Sequence, residues 1–274
     1  MPDGVHLKVG FIGLGNMGAS LADGLLNSGA ISHESTLVAN RGQGKAESFA
    51  KRYPGLSVAD GNRQVAEECD ITFVAVRTGQ MLDVLREISP VRGHAVVVNG
   101  AIPIAHLEAL CGGPVSKLIP SVTMEHGHGV SLLCHGPSVS HSQARCLEEA
   151  LGKPSRVLIV PEDGMEAATD LTSCGPALIA EMMHQFAEAG ARHGIGRKEA
   201  WEMVLETMQG AAAALGSGET AVSLKQKVAT KGGITEQGLM VLEAELPSVF
   251  DKVMERTMVK HAEVRERLMK ELGS

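Results

Sequence analysis

Gly13, Gly15 and Gly18 follow the apolar run Lys8–Ile12 at G-x-G-x-x-G spacing and open a segment with helical character over Asn16–Asn27. A strand, a tight glycine turn and a helix in that order can cradle the pyrophosphate of a dinucleotide. Gly13 permits the turn, Gly15 has no side chain to hold the phosphates away, and Gly18 lets the helix pack closely on the strand. Asn16 and Met17 fall in the first helical turn, whose unpaired N–H groups and positive dipole end face the anion.

The second strand of such a unit selects the nucleotide. An acidic residue at its end bonds the ribose hydroxyls, whereas a cation suits a 2'-phosphate. Here Thr36–Ala39 reads as that strand and Asn40-Arg41-Gly42-Gln43-Gly44-Lys45 follows it with no carboxylate. Arg41 offers a planar fork of donors and Lys45 adds charge, so NADP is expected, with NADPH preferred over NADH.

Two further glycine-rich segments lie in the C-terminal half. Thr172-Ser173-Cys174-Gly175-Pro176-Ala177 sits where a helix should break or kink, because proline lacks a donor and disfavours helical geometry in the residue before it. Lys231-Gly232-Gly233-Ile234-Thr235 precedes a helix, and its successive N–H groups could nest a carboxylate. Thr235 also serves as an ordinary N-cap residue, and the residue types alone leave the two readings open. His126, His128, Cys134 and His135 follow no fixed ligand spacing and read as loop residues, so no metal is expected. Five cysteines, an odd number with no C-x-x-C pair, read as reduced thiols.

Positioning these residues requires an alternation of strands and helices. Strands are predicted over Lys8–Ile12, Thr36–Ala39, Leu56–Val58, Ile71–Val76, Ala95–Asn99, Val115–Ile119, Gly129–Cys134 and Arg156–Val160. Helices are predicted over Asn62–Cys69, Met81–Ile88, Ile104–Leu110 and Val139–Leu151. From Asp163 onward only helical patterns remain, at Leu178–His193, Arg197–Leu215 and Leu246–Leu272. This is an α/β chain: a Rossmann-type doubly wound sheet over residues 1–161, then an all-helical domain over 162–274. The methionines at Met203, Met208, Met254 and Met258 read as ordinary helical packing.

With 274 residues, 44% of them hydrophobic and 21% charged, the chain can bury a sizeable core. A net charge of -7 and the lack of a basic tract argue against nucleic acid. Met1-Pro2-Asp3-Gly4 runs almost directly into the first strand, and no apolar span reaches the roughly 18 residues a membrane crossing needs. A cytoplasmic protein with no membrane partner is expected.

Gly13-Leu14-Gly15-Asn16-Met17-Gly18, Asn40-Arg41, Asn62, Ala75-Val76-Arg77, Ser173-Cys174-Gly175-Pro176-Ala177 and Gly232-Gly233-Ile234-Thr235 occur in an order and spacing that resemble the pyrroline-5-carboxylate reductases. The resemblance covers nearly the whole chain. It is most specific in Glu188-Ala189-Gly190-Ala191-Arg192-His193-Gly194-Ile195 and in Leu224–Val228 followed by the glycine loop and Leu242-Glu243. It implies an NADPH-dependent reduction of pyrroline-5-carboxylate, or a closely related cyclic imino acid, by hydride transfer to the C=N carbon. It also implies a homodimer with intertwined C-terminal helices, or an oligomer of such dimers. Carried over by position, Asn16, Met17, Arg41, Asn62, Ala75, Val76 and Arg77 would contact the dinucleotide, with Gly13, Gly15, Gly18 and Asn40 completing that site. Thr230, Gly232, Gly233, Ile234 and Thr235 would hold the substrate. The Thr235 hydroxyl, the one catalytic group, would bond the ring nitrogen.

The chain departs from the family pattern at several places. Ile119-Pro120-Ser121-Val122-Thr123 keeps only the first proline of Met-Pro-Asn-x-Pro, Arg77-Thr78 replaces a Lys-Pro pair, Lys231 replaces a proline and Cys174 a serine. Two other classes share the opening glycine motif. One is the β-hydroxyacid dehydrogenases, whose Gly-x-x-Gly-x-Gly-x-x-x-Lys helix is missing from Gly190–Lys198. The other is a non-catalytic dinucleotide-binding paralogue, because a fold does not fix a function.

Overall fold

A computed structural model describes residues 7–273; Met1-Pro2-Asp3-Gly4 lies outside the described residues. The chain divides into two compact units, one containing the chain up to Cys174 together with Lys260 onward, the other Gly175–Val259. The division therefore falls later than the Pro161-Glu162 boundary read from the sequence. The reason is packing: the helix Met165–Thr172 seats Met165 against Ile119, Leu132 and Cys134 of the sheet, and Leu268 is fully buried beside Leu85 and Val97.

The first unit is an eight-stranded sheet of β1 (Val9–Ile12), β2 (Thr36–Ala39), β3 (Ser57–Val58), β4 (Ile71–Val74), β5 (His94–Val97), β6 (Val115–Ile119), β7 (Val130–His135) and β8 (Arg156–Ile159). Its order is β3-β2-β1-β4-β5-β6-β7-β8, parallel except for the antiparallel β6–β7 pair. The first, second, fourth, fifth and sixth strands are buried throughout, which explains their mostly apolar residues, with His94 and Lys117 the large polar exceptions.

Side-chain alternation then divides the core in two. Phe11, Val38, Phe73 and Val96 share a face, with the Phe11 and Phe73 rings stacked at 5.0 Å. That face packs on α1 (Asn16–Asn27), α2 (Gln43–Ala50) and α6 (His141–Leu151) through Leu21, Leu25, Phe49, Leu147 and Leu151. Ile12, Leu37, Val74 and Val97 face α3 (Asn62–Glu68), α4 (Thr78–Ile88) and α5 (Ile104–Cys111).

Several bounds differ from the sequence reading for local reasons. The fourth strand stops at Val74, and Ala75 turns away while its N–H donates to the Ile12 carbonyl at 2.8 Å. α4 starts at Thr78 because Arg77, in extended geometry, is its N-cap. α2 was not expected, since Gly42 and Gly44 flank its start and read as a turn; α7 (Met165–Thr172) was too short to register.

One buried polar chain crosses the sheet. His94 Nε2 and Ser116 Oγ are 2.8 Å apart, Ser116 Oγ and His135 Nδ1 2.6 Å, and His135 Nε2 and Glu148 Oε1 3.2 Å. His94 is 1% exposed, and burial, with His135 nearby, pushes its pKa down to about 4. An unfolded histidine takes up its proton near 6.5, so between these values the unfolded chain binds more protons and stability rises with pH. We expect the folded state to lose about 3 kcal/mol from this group as pH falls from roughly 6.5 to 4. Denaturant titrations of the parent and His94→Asn at several pH values check this: the variant should show a shallower loss over that range.

The second unit contains α8 (Gly175–Arg192), α9 (Arg197–Gly216), α10 (Ala221–Val228) and α11 (Ile234–Leu272) as far as Val259. α8 begins where the Gly175-Pro176 break was predicted. α11 begins twelve residues before the expected Leu246, because Pro247 interrupts a single intrahelical donor and the helix runs through it. The fully buried part of the unit's core is small: Ala187, Ala200 and Val204, with Met183 and Met208 against them. Many large apolar side chains face outward instead, including Phe186 at 64% exposure, Met240 at 61% and Ile234 at 95%. Met203 and Met258 are also exposed, whereas Met208 packs against the small core.

Candidate functional site

The three glycines of the first turn meet three different physical demands. Gly13 has φ +94°, and a Cβ there would lie 2.6 Å from the Ala75 carbonyl oxygen and 2.9 Å from Val76. At Gly18 a Cβ would fall 2.1 Å from the Gly13 carbonyl oxygen and 3.1 Å from Ala75 Cβ. Gly15 is exposed, with no heavy atom within 4 Å of its would-be Cβ. The first two positions thus require glycine for the fold. The third leaves bare backbone at the N-cap of α1, where no side chain caps the helix and no acid occupies the first turn. The amides of Asn16 and Met17 in that turn have no intrahelical acceptor, so the surface suits an anion.

Asn40 braces this turn. Its Oδ1 accepts from the Leu14 N–H at 3.0 Å and its Nδ2 donates to the Gly42 carbonyl at 3.1 Å, tying the end of β2 to the glycine loop. Asn40, read from the sequence as part of the cofactor site, thus shapes the loop through its side chain. Arg41 and Asn62 do come together with Asn40, lining a cleft of about 190 Å³ with Asp60 and Glu87. Asn62 Nδ2 donates to Glu87 Oε2 at 3.0 Å. Arg41 is exposed. Ala75 and Val76 flank Gly13 and Gly18, whereas Arg77 is exposed at the head of α4.

The other glycine loop belongs to the second unit. Gly232 has φ +75°, and a Cβ on Gly233 would lie 2.4 Å from Thr230 Oγ1 and 2.8 Å from the Thr230 carbonyl. Both glycines are therefore dictated by the loop. Gly233 N–H donates to the Thr230 carbonyl at 2.8 Å and Gln237 N–H donates to the Gly233 carbonyl at 3.4 Å. The helix starts at Ile234, which puts Thr235 inside the first turn rather than at the N-cap. Its side chain, like those of Thr230 and Ile234, is exposed. Sequence reasoning passed over Glu236, whose Oε2 accepts from the Gly232 N–H at 2.6 Å.

Other polar clusters lie in the first unit. The carboxylate of Asp170, 1% exposed, faces His261 Nε2 at 3.0 Å and takes a hydrogen bond from the Cys174 thiol. Burial and the Asp170 charge push the Cys174 thiol up, making it a poor nucleophile. Lys117, 1% exposed, donates to the Gly100 carbonyl at 2.9 Å and to Glu162 Oε1 at 2.7 Å. Ser121 is buried and caps the 3-10 turn Val122–His126. Among the described residues no three His, Cys, Asp or Glu side chains converge as a metal site, and no helix is long and apolar enough to cross a membrane.

Comparison with known proteins agrees with these two sets of features. Residues 8–101 match the model described as NADP oxidoreductase, coenzyme F420-dependent, and residues 162–264 match that of pyrroline-5-carboxylate reductase dimerisation. Pyrroline-5-carboxylate reductase 3 of Bacillus subtilis is 29% identical, aligned over 96% of this chain and 99% of its own. The ComE operon protein 4 of the same organism is 28% identical over 94% of this chain and 96% of its own. Among solved structures, the Plasmodium falciparum pyrroline carboxylate reductase with NADP bound superposes with a TM-score of 0.82 at 25% identity, covering 96% of this chain and 99% of that one. The Coxiella burnetii pyrroline-5-carboxylate reductase superposes at 0.86 with 26% identity, covering 95% and 99%.

The sheet, its glycine turn and these matches define an NAD(P)H-dependent oxidoreductase acting on the CH–NH group. The bare backbone at Gly15, which a Cβ would fill, fits the nicotinamide dinucleotide that such enzymes use. Within that class the chain is similar to the pyrroline-5-carboxylate reductases, and its residues 162–264 match the model of their dimerisation domain.

Proposed function

We propose that the protein reduces pyrroline-5-carboxylate to proline, or a closely related cyclic imino acid to its saturated amine, with NADPH as the preferred reductant. The observation that carries this reading is the Thr230–Thr235 loop, in which two obligatory glycines present backbone at the head of a long helix. An anion fits such a place. The amides of Ile234 and Thr235 would take the substrate carboxylate, with Gly233 and Thr230 shaping the loop beside them, and the Thr235 hydroxyl would donate to the ring nitrogen.

When bound, the reduced nicotinamide supplies a hydride to the C=N carbon. The nitrogen gains a proton in the same net change. A threonine hydroxyl is too weak an acid to be the proton's ultimate source, so Thr235 orients the ring nitrogen and passes on a proton from solvent. An imine is already electrophilic, and positioning it contributes most of what the protein must add. Neither a metal nor a covalent nucleophile is needed. The test is loss of the reduced-nicotinamide absorbance on adding pyrroline-5-carboxylate, with proline identified as product; no turnover with it or any related cyclic imino acid would overturn the reading.

The cofactor preference rests on Arg41, exposed at the mouth of its cleft at the end of β2. Arg41→Ala should weaken NADPH by about 1.5–3 kcal/mol, one charge-assisted bond, and leave NADH nearly unaffected. A titration showing equal losses for both would remove Arg41 from the 2'-phosphate.

A homodimer is part of the same reading, its support being the outward-facing Phe186, Met203, Val222, Val228, Ile234 and Met240 on a unit with a small buried core. An intertwined interface above about 2,000 Å², the obligate class, is expected. Light scattering at low concentration should report a dimer; an active, stable monomer contradicts it.

A further inference from the structure

Leu7, Asp70 and Gly93 lie just ahead of β1, β4 and β5, at the edge of the sheet opposite the glycine turn, and there they line a cavity of about 380 Å³ with α6. Asp70, Arg92 and His94 supply its polar wall. It shares Leu7, Ile71 and Cys146 with an adjoining cavity of about 140 Å³, whose walls include Leu25, Ile31, Phe73 and Ala150. A polar chamber joined to an apolar one suits a small molecule that a few placed polar groups orient while its apolar part is buried.

His94 is 1% exposed, yet its Nδ1 has no hydrogen-bond partner. The relay behind it fixes what that atom can do. With Glu148 ionised and His135 neutral, His135 Nε2–H donates to Glu148, the Ser116 hydroxyl donates to His135 Nδ1, and His94 Nε2–H donates to Ser116. His94 Nδ1 is then a bare acceptor, and a buried acceptor is costly to leave unpaired, so a ligand that brings an N–H is favoured. Arg92 is exposed. Among the described residues its side chain bonds only the Glu68 carbonyl, at 3.5 Å, which leaves the guanidinium fork open to a carboxylate. Asp70 adds a negative charge, with one carboxylate oxygen accepting from the Lys8 N–H at 2.9 Å.

We propose that the two cavities together bind a free amino acid with a small apolar side chain, of the size of valine. Its carboxylate pairs with Arg92, its ammonium donates to His94 Nδ1 and is balanced by Asp70, and its side chain enters the apolar chamber. A carboxylate without an ammonium leaves His94 unpaired, and an amine without a carboxylate leaves Arg92 unpaired, so the zwitterion is selected over both. The cavities belong to the first unit and the Thr230–Thr235 loop to the second, so the site stands independently of the reaction proposed above.

Isoleucine δ1-methyl NMR reads the site directly, because Ile31 and Ile71 line it whereas Ile234 reports on the Thr230–Thr235 loop. The full chain, with those methyls labelled and assigned through Ile31→Val, Ile71→Val and Ile234→Val, is titrated with L-valine, isobutylamine and 3-methylbutanoate. L-Valine should shift the Ile31 and Ile71 signals saturably, with a Kd of about 1 mM or below, and leave Ile234 in place. The two half-ligands should bind about tenfold more weakly or not at all, each lacking one charge-assisted partner. Arg92→Met, at an exposed position, should weaken L-valine about tenfold with an unchanged melting temperature, and His94→Phe should weaken it as well. The proposal is overturned if L-valine moves neither signal up to about 10 mM. It is equally overturned if L-valine moves only Ile234, if 3-methylbutanoate binds as tightly as L-valine, or if Arg92→Met binds L-valine as the parent does. Imine reduction is measured separately, and none of these outcomes alters it.

Discussion

Gly15→Ala should weaken NADPH binding on the order of 100-fold while leaving the melting temperature unchanged or slightly raised. The two halves of this expectation have separate causes. No atom lies within 4 Å of the position a Cβ would take, and the backbone there is extended at φ -63°, so alanine is tolerated and loses less entropy on folding. The methyl group would instead occupy the space through which a pyrophosphate approaches the first-turn amides. Forfeiting two charge-assisted bonds of about 1.5–3 kcal/mol each accounts for the loss. Gly18→Ala should behave differently. Its Cβ would sit 2.1 Å from the Gly13 carbonyl, so it forces α1 off β1 and destabilises the fold by about 2 kcal/mol. Cofactor titration with a thermal melt on both variants checks the pair; similar melting losses for the two would show that Gly15 is a structural glycine.

Thr235→Ala should lower kcat/KM on the cyclic imine on the order of 100-fold, the usual loss when one donor to a reacting centre is removed. NADPH affinity should hold. Thr235 lies in the unit Gly175–Val259, and the glycine cradle lies in the other, so the variant leaves the cradle's own packing intact. The side chain is exposed, and its loss creates no cavity. Thr235→Ser should retain most of the rate. The expectation fails if alanine and serine are equally slow, which would assign the effect to the loop's backbone.

The sequence made the front of the sheet legible because its signals are local. Thr36–Ala39 is apolar or β-branched on both faces, and Asn16–Asn27 starts at a glycine turn, so both elements match the structure residue for residue. The reversal of β7 against β6 was not legible, since an alternating pattern carries no direction. Pro247 hid the first twelve residues of α11 because proline marks a helix start as readily as an interior position. α2 reads as a turn because Gly42 and Gly44 flank its start, and α10 buries no residue, so no core-facing apolar stripe marks it.

At the candidate site, residue type gave the glycines but not the use of side chains. Asn40 was placed in the cofactor site by its position after β2, and residue type did not show that its two polar atoms bond Leu14 and Gly42. Glu236 was missed because a glutamate in a first turn is unremarked until its carboxylate is seen to reach Gly232. The buried Lys117 sits in a strand otherwise composed of apolar and small residues, and its partners, the Gly100 carbonyl and Glu162 45 positions later, are distant in sequence.

The central claim is hydride transfer from a nicotinamide to the carbon of a cyclic C=N bond. It is tested most directly by supplying NADPH deuterated at the transferring position together with pyrroline-5-carboxylate and 1-pyrroline, and analysing the product by mass spectrometry and NMR. The account predicts a saturated cyclic amine carrying one deuterium on the carbon next to nitrogen, formed in step with oxidation of the cofactor. Binding of NADPH with no deuterated amine from either imine would contradict it and leave a dinucleotide-binding protein without this reaction.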